Sequence, residues 1–556
     1  SSASPGEAAG RSLSGDVDTG FLQIYGPENQ LDAEQQEHEA TLESRRRLSH
    51  PQQQELLQSF AETYWEHCYA WCPVLDRETL AADLGRSPLL ANALALAASH
   101  IRPPLVPHEG PATYYERARR MFYDDEEAGG LAMLQALALF YWWAPRPPST
   151  VHRHSSWWWT SVIIRHAQQM NFHREPGGGH PLAGRLDMSL RRRIWWTAFV
   201  GSPLTPPCPA RPQGPEQATV TNTPQARERL TALCQSKPCI IDPDDCNLQE
   251  SQLSDFPPDP ASQRKGLVFI NWVRLCGIMG RIAKRLSRSA SSAAQPFTVD
   301  LEQELADWAH SLPPELQLPI GSARTDAFDR DVHQLHLPYL TTIIILHLKR
   351  SAHHLPQALP PAVLAASCTA RILRDVLSRG DARFLMPITC WYSGTAFVPL
   401  LQACRVDRFA AEAAEGLDVL ARAVDELQTM WGSARVISQG FERLRGSVEA
   451  PLARPDAPQV RAQSRCVDGE FAGQPDADMQ TLGIPGGLDW EVLFPFVTRS
   501  TSKIAEGLLV DKEQGAGTGG FPFPEDVLFH ETLWSQYHDL LEPSGFLDFP
   551  EINFEA

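Results

Sequence analysis

Cysteine pairs come closest, among the side chains of this sequence, to the spacing of a metal site. Cys68 and Cys72 are four positions apart, which on a helix would bring both thiols to one face. A tetrahedral zinc site needs a second pair of thiolates or imidazoles at a similarly short spacing, and none follows. Cys234, Cys239 and Cys246 lack the paired spacing of a binuclear zinc cluster. We therefore predict no metal and no cofactor in this chain.

Catalytic motifs are missing as well. The sequence has no G-x-S-x-G elbow, no H-E-x-x-H and no phosphate-binding P-loop. His347, His353 and His354 are close in sequence, but a solvated helix end explains them more simply than a metal site or an acid–base pair. We therefore expect that the protein is not an enzyme.

Tryptophan is concentrated between positions 142 and 196, where seven of the 15 tryptophans lie. Each ring can bury roughly 150–250 Å², so this density is typical of a packed core, and the wall of a ligand pocket is the alternative. Arginines accompany these tryptophans, and a charged group beside a core needs an acidic partner. The candidate partners are Glu228, Asp242, Asp244 and Asp245. The residues assigned to this core or pocket are Trp157, Trp158, Trp159, Arg165, Arg193, Trp195, Trp196, Arg227 and Asp242.

An acidic, aromatic segment ends the chain. From Gly520 to Ala556 there are eight acidic residues and no Lys or Arg, interleaved with aromatic and leucine side chains. Acidic residues keep such apolar anchors solvated and available to a partner groove, a pattern typical of activation segments that bind coactivators. An acidic end without a partner is the alternative. The candidate anchors are Phe529, Trp534, Leu540, Leu541, Phe546, Leu547 and Phe549.

The charge of the chain argues against nucleic-acid binding by this sequence alone. With 49 Lys and Arg against 67 Asp and Glu, the formal charge is −18, and a duplex carrying one phosphate charge per roughly 1.7 Å repels such a surface.

No apolar run approaches the roughly 18 residues of a membrane span, so we expect no membrane partner. Eleven scattered cysteines favour a reducing compartment. The start at Ser1, without Met, suggests a chain that begins partway through a longer protein.

Helical patterns dominate the elements that must position these residues. Ser155 and Ser156 suit a helix start before the apolar spacing of Trp159 and Ile163. We predict an all-α fold, with a disordered linker over residues 1–50, a multi-helix domain over 51–450 and a flexible acidic-aromatic tail over 451–556. Later helices are predicted over 265–288, 301–311, 331–354, 361–379, 384–404 and 408–431.

A proline-rich insertion interrupts one of these helices at residues 200–225. It has 26 residues and seven prolines, and a helix cannot pass through it. Without it, Trp196, Ala226, Leu230 and Leu233 would form one apolar seam. Its first and last residues are compatible with splice-site codons, so we interpret the insertion as a retained intron or gene-model error. A proline-rich surface loop is the alternative.

Several blocks between residues 55 and 290 resemble the central homology domain of fungal binuclear zinc-cluster transcription factors. The later helix FINWVRLCGIMGRIAKRLSR and the last of these blocks look most like the cutinase transcription factors and fatty-acid-utilisation regulators. The matching blocks are HCYAWCPVLDRETL at 67–80, SPLLANALALAASHI at 87–101, ARRMFYDDEEAGGLAMLQALALFYWWA at 118–144, WWWTSVIIRHAQQMNFHREP at 157–176, and RRRIWWTAF joined to ARERLTALCQSKPCIIDPDDC.

The resemblance implies a nuclear regulator of RNA polymerase II promoters. The six zinc-binding cysteines of that family have no counterparts here, so zinc and promoter DNA would belong to a module missing from this sequence. Coactivators would bind the acidic tail, and a small-molecule inducer and a homodimer remain open. The alternative function is a ligand-sensing or protein-interaction module without DNA binding of its own.

Overall fold

The computed structural model describes residues 50–124, 129–146, 154–175, 188–198, 246–289, 299–349, 356–449 and 488–514. These ranges contain 15 α-helices and two strands of two residues each, which confirms the all-α prediction for the described part of the chain. The insertion at 200–225 and the predicted disorder of both ends fall mainly outside these ranges. By its internal contacts the chain divides into two units, residues 1–59 and 60–556.

The helices of the described ranges are given in chain order. They are α1 (His50–Thr63), α2 (Leu80–Arg86), α3 (Pro88–Ile101), α4 (Pro111–Tyr123), α5 (Gly130–Leu139), α6 (Ser156–Gln169), α7 (Met188–Ala198), α8 (Pro260–Ser289), α9 (Val299–Ser311), α10 (Arg330–Leu346), α11 (Pro360–Leu377), α12 (Thr389–Ala403), α13 (Asp407–Leu427), α14 (Gly432–Glu449) and α15 (Lys503–Glu513).

Helix α3 is the buried centre of the first group of helices. The Ser87 hydroxyl caps it by accepting a hydrogen bond from the Leu90 N–H at 3.1 Å. Pro88 stands in the first turn, where its missing N–H costs no helical hydrogen bond. The rest of the helix is mostly Ala and Leu, so it offers apolar surface all round and packs against α2, α4 and α5.

Helices α10 to α14 form the second group, in which successive helices pack against each other. Asp329 caps α10 by accepting from the Val332 N–H at 3.0 Å. The helix predicted over 331–354 is shorter than expected, because it ends at Leu346 and the chain turns back. Residues Leu348–Lys349 then pair antiparallel with Gln357–Ala358.

One helix in the described ranges is long and apolar enough to cross a membrane by length and composition alone. It covers Pro260–Ala283 within α8, and 78% of its most apolar window is buried inside the protein. Such burial is also found in the core helix of a folded domain.

Residues 488–514, hereafter the docked segment, pack against α9, α11 and α13. The docked segment contains a 3-10 turn at Trp490–Leu493 and helix α15. Leu493, Ile504 and Leu508 are buried. This corrects the predicted flexible tail for residues 488–514, because these side chains supply an apolar face that the rest of the fold covers.

Candidate functional site

Arg193, on α7, lies at the centre of a buried polar cluster. Only 2% of the residue is exposed. One terminal nitrogen, Nη1, donates to the Tyr69 hydroxyl at 3.2 Å and to the carbonyl oxygens of Pro73 and Leu75 at 3.1 and 3.3 Å. The other, Nη2, donates to the Asp76 carboxylate at 2.5 Å. The guanidinium therefore connects α7 to residues 73–76, which lie more than a hundred positions earlier in the sequence.

Tyr64 and Gln135 also form hydrogen bonds with the main chain of residues 72–75. The Tyr64 hydroxyl donates to the Cys72 carbonyl at 2.6 Å and accepts from the N–H groups of Val74 and Leu75 at 3.1 and 3.2 Å. Gln135 Nε2 donates to the Val74 carbonyl at 2.7 Å. Burial raises the pKa of Tyr64 well above its usual value, so its hydroxyl keeps its proton. These side chains replace the hydrogen bonds that regular structure would otherwise provide.

The acidic partner of Arg193 was not predicted from the sequence. The expected partners Glu228, Asp242, Asp244 and Asp245 lie outside the described residues. The structure instead pairs Arg193 with Asp76. An arginine in an apolar helix signalled that a partner must exist, but only the fold could bring one from so far away in the sequence.

Three of the candidate tryptophans are in the core. Trp159 donates from its indole N–H to the Tyr115 hydroxyl at 3.1 Å. Trp196 donates to the Gln249 carbonyl at 2.7 Å, and the Trp195 ring lies 5.6 Å from that of His173. Each of these rings therefore has a contact that fixes it in the core.

The remaining candidates are at the surface or beyond the described ranges. Trp158 is 39% exposed, and Arg165 is exposed with Nη1 donating to Gln168 Oε1 at 3.2 Å. The positions whose side chains lie outside the described residues are Trp157, Arg227, Asp242, Phe529, Trp534, Leu540, Leu541, Phe546, Leu547 and Phe549.

A small cavity of about 30 Å³ lies between α11, α13 and the start of α15. Arg371, on its wall, donates to the Thr325 hydroxyl at 2.9 Å and to Asp375 at 3.3 Å. Glu412, also on the wall, accepts from the Ile504 N–H at 2.8 Å. Pockets for drug-sized ligands have volumes of roughly 300–1,000 Å³, so this cavity has room for about one water molecule.

Metal binding gains no support from the described part of the chain. Within it, no group of three His, Cys, Asp or Glu side chains is placed to hold a metal ion. Cys68 and Cys72 are both buried in the core, and Cys72 Sγ donates to the Ala138 carbonyl at 3.8 Å.

Residues 61–200 match the protein family described as the fungal specific transcription factor domain. This range begins in α1 and includes Arg193 with its hydrogen-bond partners, as well as Tyr64 and Gln135. The site that ties α7 to residues 73–76 thus lies entirely within the matched domain.

Relatives of the chain are transcription regulators by their names. Cutinase transcription factor 1 alpha of Fusarium vanettenii is 26% identical over 29% of this chain and 16% of its own length. Cutinase transcription factor 1 beta of the same fungus is 25% identical over 45% of this chain and 29% of its own. An uncharacterized transcriptional regulatory protein of Schizosaccharomyces pombe is 29% identical over 33% of this chain and 29% of its own.

The matched part of the chain spans less than a third of the length of each of these relatives. No solved structure gives a significant match. The family match and the named relatives nevertheless agree with each other, and none of these names describes an enzyme. Together they show that residues 61–200 are similar to the fungal specific transcription factor domain and that the chain is similar to parts of proteins named as transcription regulators.

Proposed function

We propose that the chain is the regulatory and activation portion of a DNA-binding transcription factor that controls RNA polymerase II genes in the nucleus. The observation that carries the proposal is the match of residues 61–200 to the fungal specific transcription factor domain. The cluster around Arg193 supports a structural role for that domain, because its polar groups hold α7 against residues 69–76.

DNA contact would come from a zinc-cluster module outside this sequence, which would bring zinc as its cofactor. The formal charge of −18 supports this division of roles, because an acidic surface is repelled by phosphates. The regulatory helices and the acidic tail would then act on promoters to which the other module binds.

The target genes would be those for the use of fatty acids or cutin-derived carbon. Two of the relatives are named as cutinase transcription factors, which supports this choice. In a strain lacking the gene, we expect transcripts for fatty-acid use to stay at their glucose level when a fatty acid is the sole carbon source. Transcripts that rise as in the parent strain would remove this assignment.

Activation would come from the acidic, aromatic tail, which would bind coactivators. Its eight acidic residues and absence of Lys and Arg from Gly520 to Ala556 support this role. The test is to fuse the full chain to an unrelated DNA-binding domain and to measure a reporter gene behind the matching operator. We expect the fusion to raise expression at least about tenfold above the DNA-binding domain alone, a difference of about 1.4 kcal/mol in apparent recruitment. Equal expression from both would contradict the proposal.

A further inference from the structure

The 3-10 turn of the docked segment is bound through its main chain. The Val492 carbonyl lies 2.9 Å from Nε2 of His310, on α9. The Leu493 carbonyl accepts from the Tyr339 hydroxyl, on α10, at 2.7 Å. Leu493 is fully buried, and Phe494 is 3% exposed. Because main-chain carbonyls are common to all residues, both contacts could be made by another peptide with suitable side chains.

Aromatic rings of α9 and α10 form the groove that receives this turn. Trp308 stacks on Tyr339 with ring centroids 5.2 Å apart. Phe496 packs edge-on to His336 at 5.6 Å and to Tyr339 at 6.2 Å, and it contacts Phe494 at 6.3 Å. We call the surface formed by Trp308, His310, His336 and Tyr339 the α9–α10 groove.

Lys512, on α15 within the docked segment, binds two acidic residues that precede Leu493 and Phe494. Lys512 Nζ lies 2.6 Å from the Asp489 carboxylate and 2.5 Å from that of Glu491. It also lies 5.4 Å from the centre of the Trp490 ring, within the range of a cation–π contact. A peptide that occupies the groove therefore gains from an acidic residue just before its apolar anchors.

The sequence contains the same chemical motif a second time. Glu491-Val492-Leu493-Phe494 in the docked segment corresponds to Asp526-Val527-Leu528-Phe529 in the tail. Both copies place one carboxylate directly before Val-Leu-Phe. The second copy lies outside the described residues.

We propose that the α9–α10 groove is a docking site for an acidic-Val-Leu-Phe motif, and that the tail motif Asp526–Phe529 is its second occupant, in competition with Glu491–Phe494. The groove would then bind a part of the acidic tail and withdraw it from other partners. This consequence rests on the proposed activation role of the tail, whereas the docking itself does not.

The tail motif is close enough in sequence to reach the groove of its own chain. Lys512 touches Glu491 beside the groove, and fourteen positions separate Lys512 from Asp526. At up to roughly 3.3–3.6 Å per residue, that length of chain can span about 45 Å. The short tether also gives the tail motif a high effective concentration at the groove.

Peptide binding to the full chain is the first test. Both proteins carry L528A/F529A, so that their own tail motif cannot fill the groove. A fluorescent peptide with the sequence of residues 520–533 is titrated against this background protein and against the variant that also carries L493A/F494A, which lacks the anchors of the resident motif. Because an occupied groove reduces apparent affinity, we expect the variant to bind at least about tenfold more tightly than the background protein. The matched control peptide, with L528A/F529A, should bind neither protein. Equal binding of the two peptides by the variant would overturn the proposal.

A second measurement covers the case in which L493A/F494A does not fold, as judged by circular dichroism. A photo-cross-linking phenylalanine analogue replaces Phe529 in the otherwise unchanged full chain, and cross-linked peptides are identified by mass spectrometry. We expect cross-links to residues 303–343, which contain the groove. The same analogue at Phe554 is the matched control and should give at most a tenth of that yield. Cross-links from position 529 that are no more frequent in this range than those from position 554 would overturn the proposal.

These outcomes separate the docking from the proposed function. A tethered chain that activates no reporter, but whose groove binds the peptide, would contradict the activation role and leave the docking site. A chain that activates the reporter without binding the peptide would do the reverse.

Discussion

At the scale of single residues, Arg193 is a buried charge that is held by four hydrogen bonds. Replacing it by Ala would leave the carbonyls of Pro73 and Leu75 without their buried donor and Asp76 without its counter-charge. Breaking a buried pair typically costs about 3–5 kcal/mol. We expect Arg193→Ala to lower the free energy of unfolding by that amount, measured by urea denaturation.

Arg165 provides the matched control for this substitution. It is an arginine on the neighbouring helix α6, but it is exposed and contacts only Gln168 among its described partners. Arg165→Ala should change the free energy of unfolding by less than about 0.5 kcal/mol. Similar losses for the two variants would show that the cluster at Arg193 does not hold these elements together.

Buried histidines should make the protein sensitive to mild acid. Burial and the charge of Arg330 lower the pKa of His67 to about 3, and burial lowers those of His100 and His336 to about 4. Glu66 lies 3.5 Å from His67 Nε2 and would favour the charged ring, but Arg330 donates to Nδ1 at 2.8 Å. A protonated ring has no lone pair to accept that bond, so the neutral form is favoured.

The direction of the pH effect follows from these lowered pKa values. Below the ordinary histidine pKa of about 6.5, the unfolded chain binds protons that the folded chain cannot, so stability falls as the pH falls from about 6.5 towards 4. We expect His67→Gln to reduce the loss of unfolding free energy between pH 7 and pH 5 by about 1–2 kcal/mol. Denaturation curves at both pH values measure this loss, and an unchanged loss in the variant would contradict the account.

At the scale of elements, the start of α14 is packed directly on the main chain of another segment. The Gly432 N–H donates to the Ala144 carbonyl at 3.1 Å, and a Cβ at this position would lie 2.7 Å from the Pro145 carbonyl carbon. Main chain cannot move aside as a flexible side chain can. We therefore expect Gly432→Ala to cost about 1–3 kcal/mol of unfolding free energy, in the range of overpacked cores.

Gly85 in α2 is the control for a glycine in open space. No atom lies within 4 Å of a Cβ built there, and a helical glycine is less favourable than alanine by up to about 1 kcal/mol. Gly85→Ala should therefore leave the thermal midpoint unchanged or raise it, while Gly432→Ala lowers it. A lower midpoint for both variants would show that close packing at α14 is not the cause.

The periodicity of apolar residues predicted where most helices lie, but it did not predict where each helix ends. The helix predicted over 361–379 is α11 at Pro360–Leu377, because a Pro-Pro start and a continuous apolar face define it locally. The helix predicted over 331–354 ends at Leu346, where the two-residue strands pair. That end depends on residues ten positions further on, which periodicity does not take into account.

The docked segment shows the same limit more strongly. Trp490, Leu493 and Phe494 lie after a stretch rich in glycine and proline, which favoured a flexible tail. His310 on α9 and Tyr339 on α10 bind the carbonyls of Val492 and Leu493 from more than 150 positions earlier in the sequence, so no local sequence pattern predicts these contacts.

At the scale of the whole molecule, the sequence predicted the fold class and the likeness to transcription regulators better than it predicted contacts. Trp159 and Trp195, which lie in the stretch of high aromatic density, are both buried. The pairing of Arg193 with Asp76 could not be predicted, because the two are 117 positions apart and their contact exists only in the folded chain.

The activation role of the tail is the central claim, and tethered-reporter expression tests it most directly. The full chain fused to an unrelated DNA-binding domain is compared with a variant in which Phe529, Trp534, Leu540, Leu541, Phe546, Leu547 and Phe549 are all alanine, at equal protein levels by immunoblot. We expect the variant to lose at least about nine-tenths of the activated expression, because the apolar anchors would provide most of the coactivator contact. Equal activation by the two proteins would contradict the account.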